Sequence, residues 1–201
     1  MSGFNGVWQD SSVQSIVVVI PLSNGVQDQE YVDMSDILRD IKANFVYDRG
    51  SPTAEWEVVE GLLSSFATER EAITRWLFEE YNGYVDTRTR AGLEFIDHSS
   101  TEGRSILKRL VSSPNPDDRD TALAIIEVLG DDDAVRMAVP LLEDKWTYIR
   151  LDAATVLRRF YPDEVARCLR HLLQEEAESV RDTASKLLVE MGKDSQESDR
   201  R

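Results

Sequence analysis

The stretch Ile149-Arg150-Leu151-Asp152-Ala153-Ala154-Thr155-Val156-Leu157 decides the fold, because its pattern recurs along the chain every 31 residues. We call a set of positions that are 31 residues apart a column. Four columns keep a fixed residue type or character: an arginine, an alanine three residues after it, a large apolar residue seven residues after it and a position of mixed type ten residues after it. Their members are Arg88, Arg119, Arg150 and Arg181; Ala91, Ala122, Ala153 and Ala184; Phe95, Ile126, Leu157 and Leu188; and His98, Leu129, Phe160 and Met191. A period of this length predicts a solenoid of stacked units, each made of one helix hairpin.

The residues between the columns predict where these helices begin and end. In the third copy we expect a first helix over about Thr147 to Phe160 and a second over about Asp163 to Gln174. Gly130 and Gly192 are predicted helix stops, because glycine favours the residue that follows a helix. Pro140 falls inside the apolar pattern of a second helix, and we expect it to kink that helix without ending it.

The first fifty residues do not follow the repeat. Ser15 to Leu22 is apolar and β-branched, which indicates a strand or an extended segment, and the apolar spacing from Tyr31 to Phe45 predicts an amphipathic helix. We therefore divide the chain into a non-repeat N-terminal segment at 1–52, a helical array at 53–192 and a polar tail at 193–201. Thr53 to Tyr81 reads as a first, divergent hairpin of the array.

The segments Gly130 to Val135, Leu141 to Asp144 and Ile149 to Ala154 together resemble a HEAT repeat, and Val180 to Ala184 opens the next copy in the same way. More narrowly, they are similar to the short HEAT-like repeats of phycobilisome lyase proteins. The resemblance covers Asp86 to Gly192 and implies an all-α fold, a short α-solenoid of HEAT-like helix hairpins behind a small non-repeat N-terminal segment. It specifies a fold and leaves the function open.

An acidic residue stands six positions before two of the arginines, Asp144 before Arg150 and Glu175 before Arg181. In HEAT-like repeats such pairs link successive copies. We call the series of such acid–arginine pairs along the array the ladder. Ser113 stands at that distance before Arg119, so we expect the ladder to be incomplete there. We assign the arginines a structural role. His98 shares its column with Leu129, Phe160 and Met191, and we expect it to be a core residue.

Charge and cysteine content limit the classes of partner and compartment. The net charge of −15 opposes binding to nucleic acid or to an anionic membrane, and it permits a basic protein partner. Cys168 is the sole cysteine, which fits a reducing compartment and a buried structural thiol. No lysine or arginine precedes Arg39, and the apolar run from Ile16 to Ile20 is too short to span a bilayer. We therefore expect a cytoplasmic protein.

The chain carries no sequence pattern that indicates catalysis. It contains no glycine-rich phosphate loop, no paired-cysteine metal motif and no His-Glu-x-x-His motif. His98 and His171 are its two histidines and do not form a metal-ligand set. We expect no enzymatic activity, no metal and no cofactor.

Two aromatic residues mark the candidate binding site. Trp146 and Tyr148 lie in a turn between copies, where the next copy has Ala177 and Ser179, so the repeat core does not require them. Second helices line the concave side of such solenoids, and side chains from these helices complete the predicted partner site: Arg136, Arg167, Arg170 and His171. Packing of the two aromatic residues on the N-terminal segment is the alternative.

The sequence leaves two functional hypotheses. The first is a non-catalytic protein-binding module or scaffold, in its specific form an acidic inhibitor such as an immunity protein that neutralises a basic toxin. The alternative, implied by the resemblance, is a bilin lyase-like or other tetrapyrrole-handling HEAT-repeat protein. A HEAT-like DNA glycosylase would need a basic groove, which the acidic composition disfavours.

Overall fold

The computed structural model describes residues 38, 39, 41, 42, 45, 52–175 and 177–198. Every regular element in this part of the chain is helical, which confirms the all-α solenoid. The α-helices are α1 (Pro52–Ser65), α2 (Arg70–Glu79), α3 (Val85–His98), α4 (Ser100–Val111), α5 (Pro116–Leu129), α6 (Asp132–Ala138), α7 (Thr147–Leu157), α8 (Pro162–Leu172) and α9 (Glu178–Ser198). Two 3₁₀ helices, Ala67–Glu69 and Val139–Glu143, join or extend them.

The helices form two layers. The first helices of successive hairpins, α3, α5, α7 and α9, pack side by side in one layer. The second helices, α4, α6 and α8, form the other layer, with the 3₁₀ segment after α6 lying between α6 and α8. This arrangement means that a groove between two first helices opens on one face of the array, and the outer sides of the second helices form the opposite face.

The repeat columns form the core, as their spacing predicts. The alanine column is fully buried, which lets neighbouring first helices approach closely. Phe95, Ile126 and Leu157 are also buried, and Leu188 packs against the same cluster. Leu110, Leu141 and Leu172 fill the core from the second helices. The hydrophobic effect acts on the same few columns in every hairpin, so the array is stabilised repeat by repeat.

The expectations for the N-terminal segment fall largely outside the described residues. The strand predicted at Ser15 to Leu22 lies entirely outside them, as does the first part of the helix predicted to end near Phe45. Leu38, Arg39, Ile41 and Lys42 are helical. Ile41 and Phe45 are buried, and the Phe45 ring meets Trp76 edge-on with 5.8 Å between ring centroids. This end of the predicted helix therefore joins the core of the first hairpin.

An unbroken ladder of hydrogen bonds connects the repeats, so the expectation of an incomplete ladder is wrong. The Arg119 guanidinium binds both carboxylate oxygens of Asp144, at 2.6 and 3.1 Å. The Arg150 Nη1 group donates to the Asp144 backbone carbonyl at 2.7 Å. Glu175 repeats the arrangement, with its carboxylate accepting from Arg150 at 2.5 Å and its carbonyl accepting from Arg181 at 2.7 Å.

The serine at the start of the ladder is also compatible with it. Ser113 supplies the backbone carbonyl that accepts from Arg119 at 2.6 Å, so its side chain does not need to be acidic. Its hydroxyl donates to Asp118 at 2.6 Å, and Asp118 in turn binds Arg88 at 2.7 Å. The structural role predicted for the arginines is therefore confirmed. The residue six positions before each of Arg119, Arg150 and Arg181 contacts that arginine through its backbone carbonyl and not through its side chain.

Three local expectations are corrected. The α-helix α6 ends at Ala138 and the chain continues as the 3₁₀ helix Val139–Glu143, so Pro140 ends the α-helix where a kink was expected. Helix α9 runs through Gly192 to Ser198, so Gly192 is no helix stop and residues 193–198 are helical. His98 is exposed at the end of α3, where its Nδ1 group donates to the Glu94 carbonyl at 2.8 Å. The predicted stop at Gly130 is confirmed by its φ of 60°.

Candidate functional site

Trp146 and Tyr148 form an exposed aromatic pair at the start of α7. Trp146 caps the helix and Tyr148 lies in its first turn, with 45% and 40% of their surfaces exposed. Their ring centroids are 6.2 Å apart. Because large aromatic side chains gain free energy from burial, a pair left exposed in one turn is a candidate contact surface.

The arginine ladder fixes the turn that presents this pair. The Asp144 carboxylate that binds Arg119 also accepts the Trp146 backbone N–H at 2.8 Å. Arg119 and Asp144 have side chains only 6% and 8% exposed, so water does not compete with these bonds. The position of the aromatic pair is thus set by the same contact that joins two repeats.

A groove runs between α5 and α7 on the first-helix face. Its floor is apolar, with Leu123, Ala124 and Val156, and its cavity volume is about 120 Å³. Thr155 and three carboxylates line the rest: Asp120, Glu127 and Asp152. Tyr148 stands four residues before Asp152 on α7, which places it at the N-terminal end of the same stripe.

Each carboxylate of the groove makes ionisation of its acidic neighbours less favourable. Partial burial, together with the charges of Asp120 and Glu127, raises the pKa of Asp152 to about 6. Burial and the neighbouring Asp117 raise the pKa of Asp120. The pKa of the Tyr148 phenol is also raised, by burial and by Asp117 and Asp120. These shifts link the tyrosine and the acids in one electrostatic neighbourhood that favours a positive charge.

The structure brings two of the six predicted site residues together and leaves the other four apart from them. Trp146 and Tyr148 are adjacent, beside α5. Arg136 lies on α6, where the interaction with the Tyr161 side chain raises the pKa of Arg136. Arg167, Arg170 and His171 are exposed on α8, on the side opposite its buried residues. These four residues belong to the second-helix layer, which faces away from the groove.

The groove carboxylates were missed by the reading of the sequence. No motif in the sequence distinguishes Asp120 or Asp152 from the many other acidic residues of the predicted helices. A comparison between copies gives a signal for Asp152, which is the one acidic residue in a column that otherwise holds Arg90, Thr121 and Thr183. It gives none for Asp120, because Asp182 occupies the same position two copies later.

Neither a metal site nor a reactive thiol is found among the described residues. No group of three or more histidine, cysteine or acidic side chains there has a geometry that holds a metal ion. Cys168 is buried, as predicted, and its thiol lies 3.3 Å from the Leu142 carbonyl to which it donates. Burial raises the pKa of this thiol, which lowers its reactivity. Of the helices in the described ranges, none is long and apolar enough to cross a membrane.

Comparison with known proteins supports the repeat assignment over slightly less than half of the chain. Residues 104–200 match the family model described as HEAT repeats. The match includes the groove, the aromatic pair and the ladder from Ser113 onward, and it does not extend to the narrower phycobilisome lyase type. No curated protein and no solved structure matches the chain significantly. HEAT repeats commonly serve as scaffolds for protein interactions, and a binding module is compatible with this architecture.

Proposed function

We propose that the protein is a non-catalytic protein-binding module whose partner is a basic protein. The observation that carries this proposal is the exposed pair of Trp146 and Tyr148 at a junction between repeats. Tryptophan and tyrosine are enriched among the residues that dominate binding free energies. The next repeat packs with Ala177 and Ser179 at these two positions, so packing of the array does not explain the aromatic residues.

Charge supports the basic character of the partner. The net charge of −15 attracts a cationic protein, and the groove beside Tyr148 concentrates three carboxylates next to the aromatic pair. The form of the function that fits these features is inhibition, in which an immunity-type protein covers the active surface of a basic toxin. The three arginines Arg136, Arg167 and Arg170 would repel such a partner, and we place its footprint on the groove side of the array.

The size of the groove argues against an organic cofactor at this position. Small-molecule sites usually enclose roughly 300–1,000 Å³, whereas this groove encloses about 120 Å³. A single side chain of a protein partner fits the smaller volume. Binding of a bilin by the purified chain would favour the tetrapyrrole-handling alternative and would count against the proposal.

Affinity capture with matched variants tests the proposal. The full chain is immobilised and incubated with a lysate of the native host, and the retained proteins are quantified. Trp146→Ala should reduce recovery of the specific partner by about tenfold, because hot-spot residues contribute about 1.4 kcal/mol or more, and it should leave the melting temperature nearly unchanged. Phe160→Ala is the control, since this aromatic residue is similarly exposed, at 43%, and lies in the turn that follows the C-terminal end of α7.

Two results would contradict the proposal. If Trp146→Ala captures the same partner as efficiently as the wild type, the aromatic pair is not the contact. If the melting temperature of this variant falls sharply, Trp146 is a packing residue, as expected from contact with the N-terminal segment.

A further inference from the structure

The groove between α5 and α7 can be compared with equivalent grooves of the same array. Its acidic positions are Asp120, Glu127 and Asp152. One repeat later the same columns hold Leu151, Arg158 and Thr183, and one repeat earlier they hold Thr89, Ile96 and Thr121. Each neighbouring pair of first helices thus packs without an acid in any of these columns. Helix packing therefore does not account for the three carboxylates.

These carboxylates are not neutralised within the part of the chain that the structure describes. No lysine or arginine there forms an ion pair with any of the three. The arginines closest to these acids in the sequence have other partners: Arg119 binds Asp144 and Arg150 binds Glu175. Arg158, further along the chain, lies 3.5 Å from Glu190. The groove consequently keeps its negative charge, and an incoming cation would find the carboxylates available.

The walls of the groove select the kind of cation. The described residues form no site for a metal ion, so a bare ion lacks a coordination shell here. Leu123, Ala124 and Val156 offer an apolar floor between the acids. Lysine and arginine carry a charged head on an aliphatic stem, and such side chains lay the stem along apolar surface while the head remains with polar partners.

We propose that this groove receives a lysine or arginine side chain from a basic segment of the partner protein, with its stem on Ala124 and Val156 and its charged head between Asp120 and Asp152. Tyr148 stands at the end of the groove and lies against the same segment. This inference rests on the proposed binding function and identifies the surface and the chemistry that carry it. The aromatic pair supplies contact area, and the groove supplies selectivity for positive charge.

A peptide-binding experiment tests the groove directly. The probe is a fluorescein-labelled peptide of alternating lysine and alanine, and its counterpart replaces every lysine with glutamate. Fluorescence anisotropy with the full chain at low salt should show saturable binding of the lysine peptide alone. The double variant D120N/D152N removes two charges without changing side-chain size, and it should weaken binding by about tenfold, a loss of about 1.4 kcal/mol.

The control has to remove the same net charge elsewhere, because any basic peptide is attracted to an acidic protein. Glu143→Gln with Asp163→Asn removes two exposed carboxylates outside the groove, in the 3₁₀ segment and at the start of α8. This variant should change the affinity by less than about twofold, since it acts only through long-range attraction that salt screens.

A second variant fills the groove from within. Thr155→Lys places a cation among the acids, and the next repeat tolerates a lysine in this column, where Lys186 stands. We expect this variant to fold with a melting temperature at or above that of the wild type and to lose most of its affinity for the lysine peptide. A variant that keeps full affinity would show that the groove is not the site.

Further outcomes overturn the inference and separate it from the proposed function. Failure of the wild type to bind the lysine peptide, or equal losses in the groove and control variants, would reject the groove as the cation site. If a captured partner still binds D120N/D152N and is lost with Trp146→Ala, the binding function stands and the groove inference falls. If neither change affects capture of that partner, both fall.

Discussion

At the scale of single residues, Asp152 opposes folding at neutral pH. Its carboxyl group has a raised pKa, about 6, because the groove desolvates it and Asp120 and Glu127 repel its charge. A carboxyl group whose pKa is higher in the folded than in the unfolded state destabilises the fold when it is charged. The destabilisation by Asp152 is therefore fully present above pH 6. It decreases as the pH falls below 6 and is lost near pH 4, the ordinary pKa of an aspartate.

The corresponding variant is Asp152→Asn, which we expect to have a higher melting temperature than the wild type at pH 8. The side chain keeps an exposed part, so water screens some of the repulsion and the gain is small. The gain should shrink at pH 5, where the wild-type carboxyl group takes up a proton. Thermal unfolding at both pH values measures it, with Glu143→Gln as the control. A gain of equal size at both pH values, or a loss at pH 8, would contradict the assignment.

At the scale of the structural elements, the ladder joins one hairpin to the next. Asp144 forms three of its contacts: its carboxylate binds Arg119, its carbonyl accepts from Arg150, and one carboxylate oxygen accepts the Trp146 N–H. A residue with contacts in two copies fixes their separation and orientation. The ladder therefore explains both the strict arginine column and the defined position of the aromatic turn.

Asp144→Asn should cost about 3–5 kcal/mol in the free energy of unfolding, because it leaves the buried Arg119 guanidinium without its counter-charge. Glu175→Gln is the matched change one repeat later. Its carboxylate is 37% exposed, so we expect a loss of about 1 kcal/mol or less. Denaturant unfolding monitored by circular dichroism compares the two. Equal losses would show that burial of the ion pair does not decide its contribution.

Pro140 shows how an element accommodates a residue that its pattern does not favour. Proline has no N–H group to donate and its ring crowds the preceding turn of an α-helix. The chain responds by changing to a 3₁₀ helix over Val139–Glu143, which still buries Leu141 and Leu142. The hairpin keeps its core contacts, and the 3₁₀ segment leads directly to Asp144.

At the scale of the whole molecule, the net charge of −15 creates a field that reaches beyond any single contact. Attraction of this kind accelerates association with a partner of opposite charge, and it is screened over about 8 Å at physiological ionic strength. The acidity and the groove are expected to act in sequence, the first by drawing a basic partner near and the second by binding its side chain.

We therefore expect the association rate with the captured partner to fall steeply between low and high salt, while the dissociation rate changes much less. Stopped-flow or surface-based kinetics over a salt series measures both rates. Glu143→Gln with Asp163→Asn should lower the association rate slightly, and D120N/D152N should raise the dissociation rate as well. An association rate that does not respond to salt would remove charge complementarity from the recognition mechanism.

The sequence by itself determined the repeat, the two-helix unit and the buried columns. The alanine column, Phe95, Ile126 and Leu157 all lie where their spacing predicts. The physical reason is that an α-helix places residues on its faces by a local periodicity, and copies of one unit repeat the same burial. The exposure of Trp146 and Tyr148 could be predicted for the same reason, because they depart from the repeat.

Only the tertiary structure decided which columns meet across helices. Asp120 and Asp152 come from different copies, and their shared groove depends on how α5 and α7 pack. The ladder contacts of Asp144 and the separation of Arg167 from Trp146 are also set by the two-layer arrangement. The continuation of α9 through Gly192 likewise escaped the sequence pattern. Such contacts depend on the distance and crossing angle between helices, which side chains throughout the interface determine together, so no local pattern specifies them.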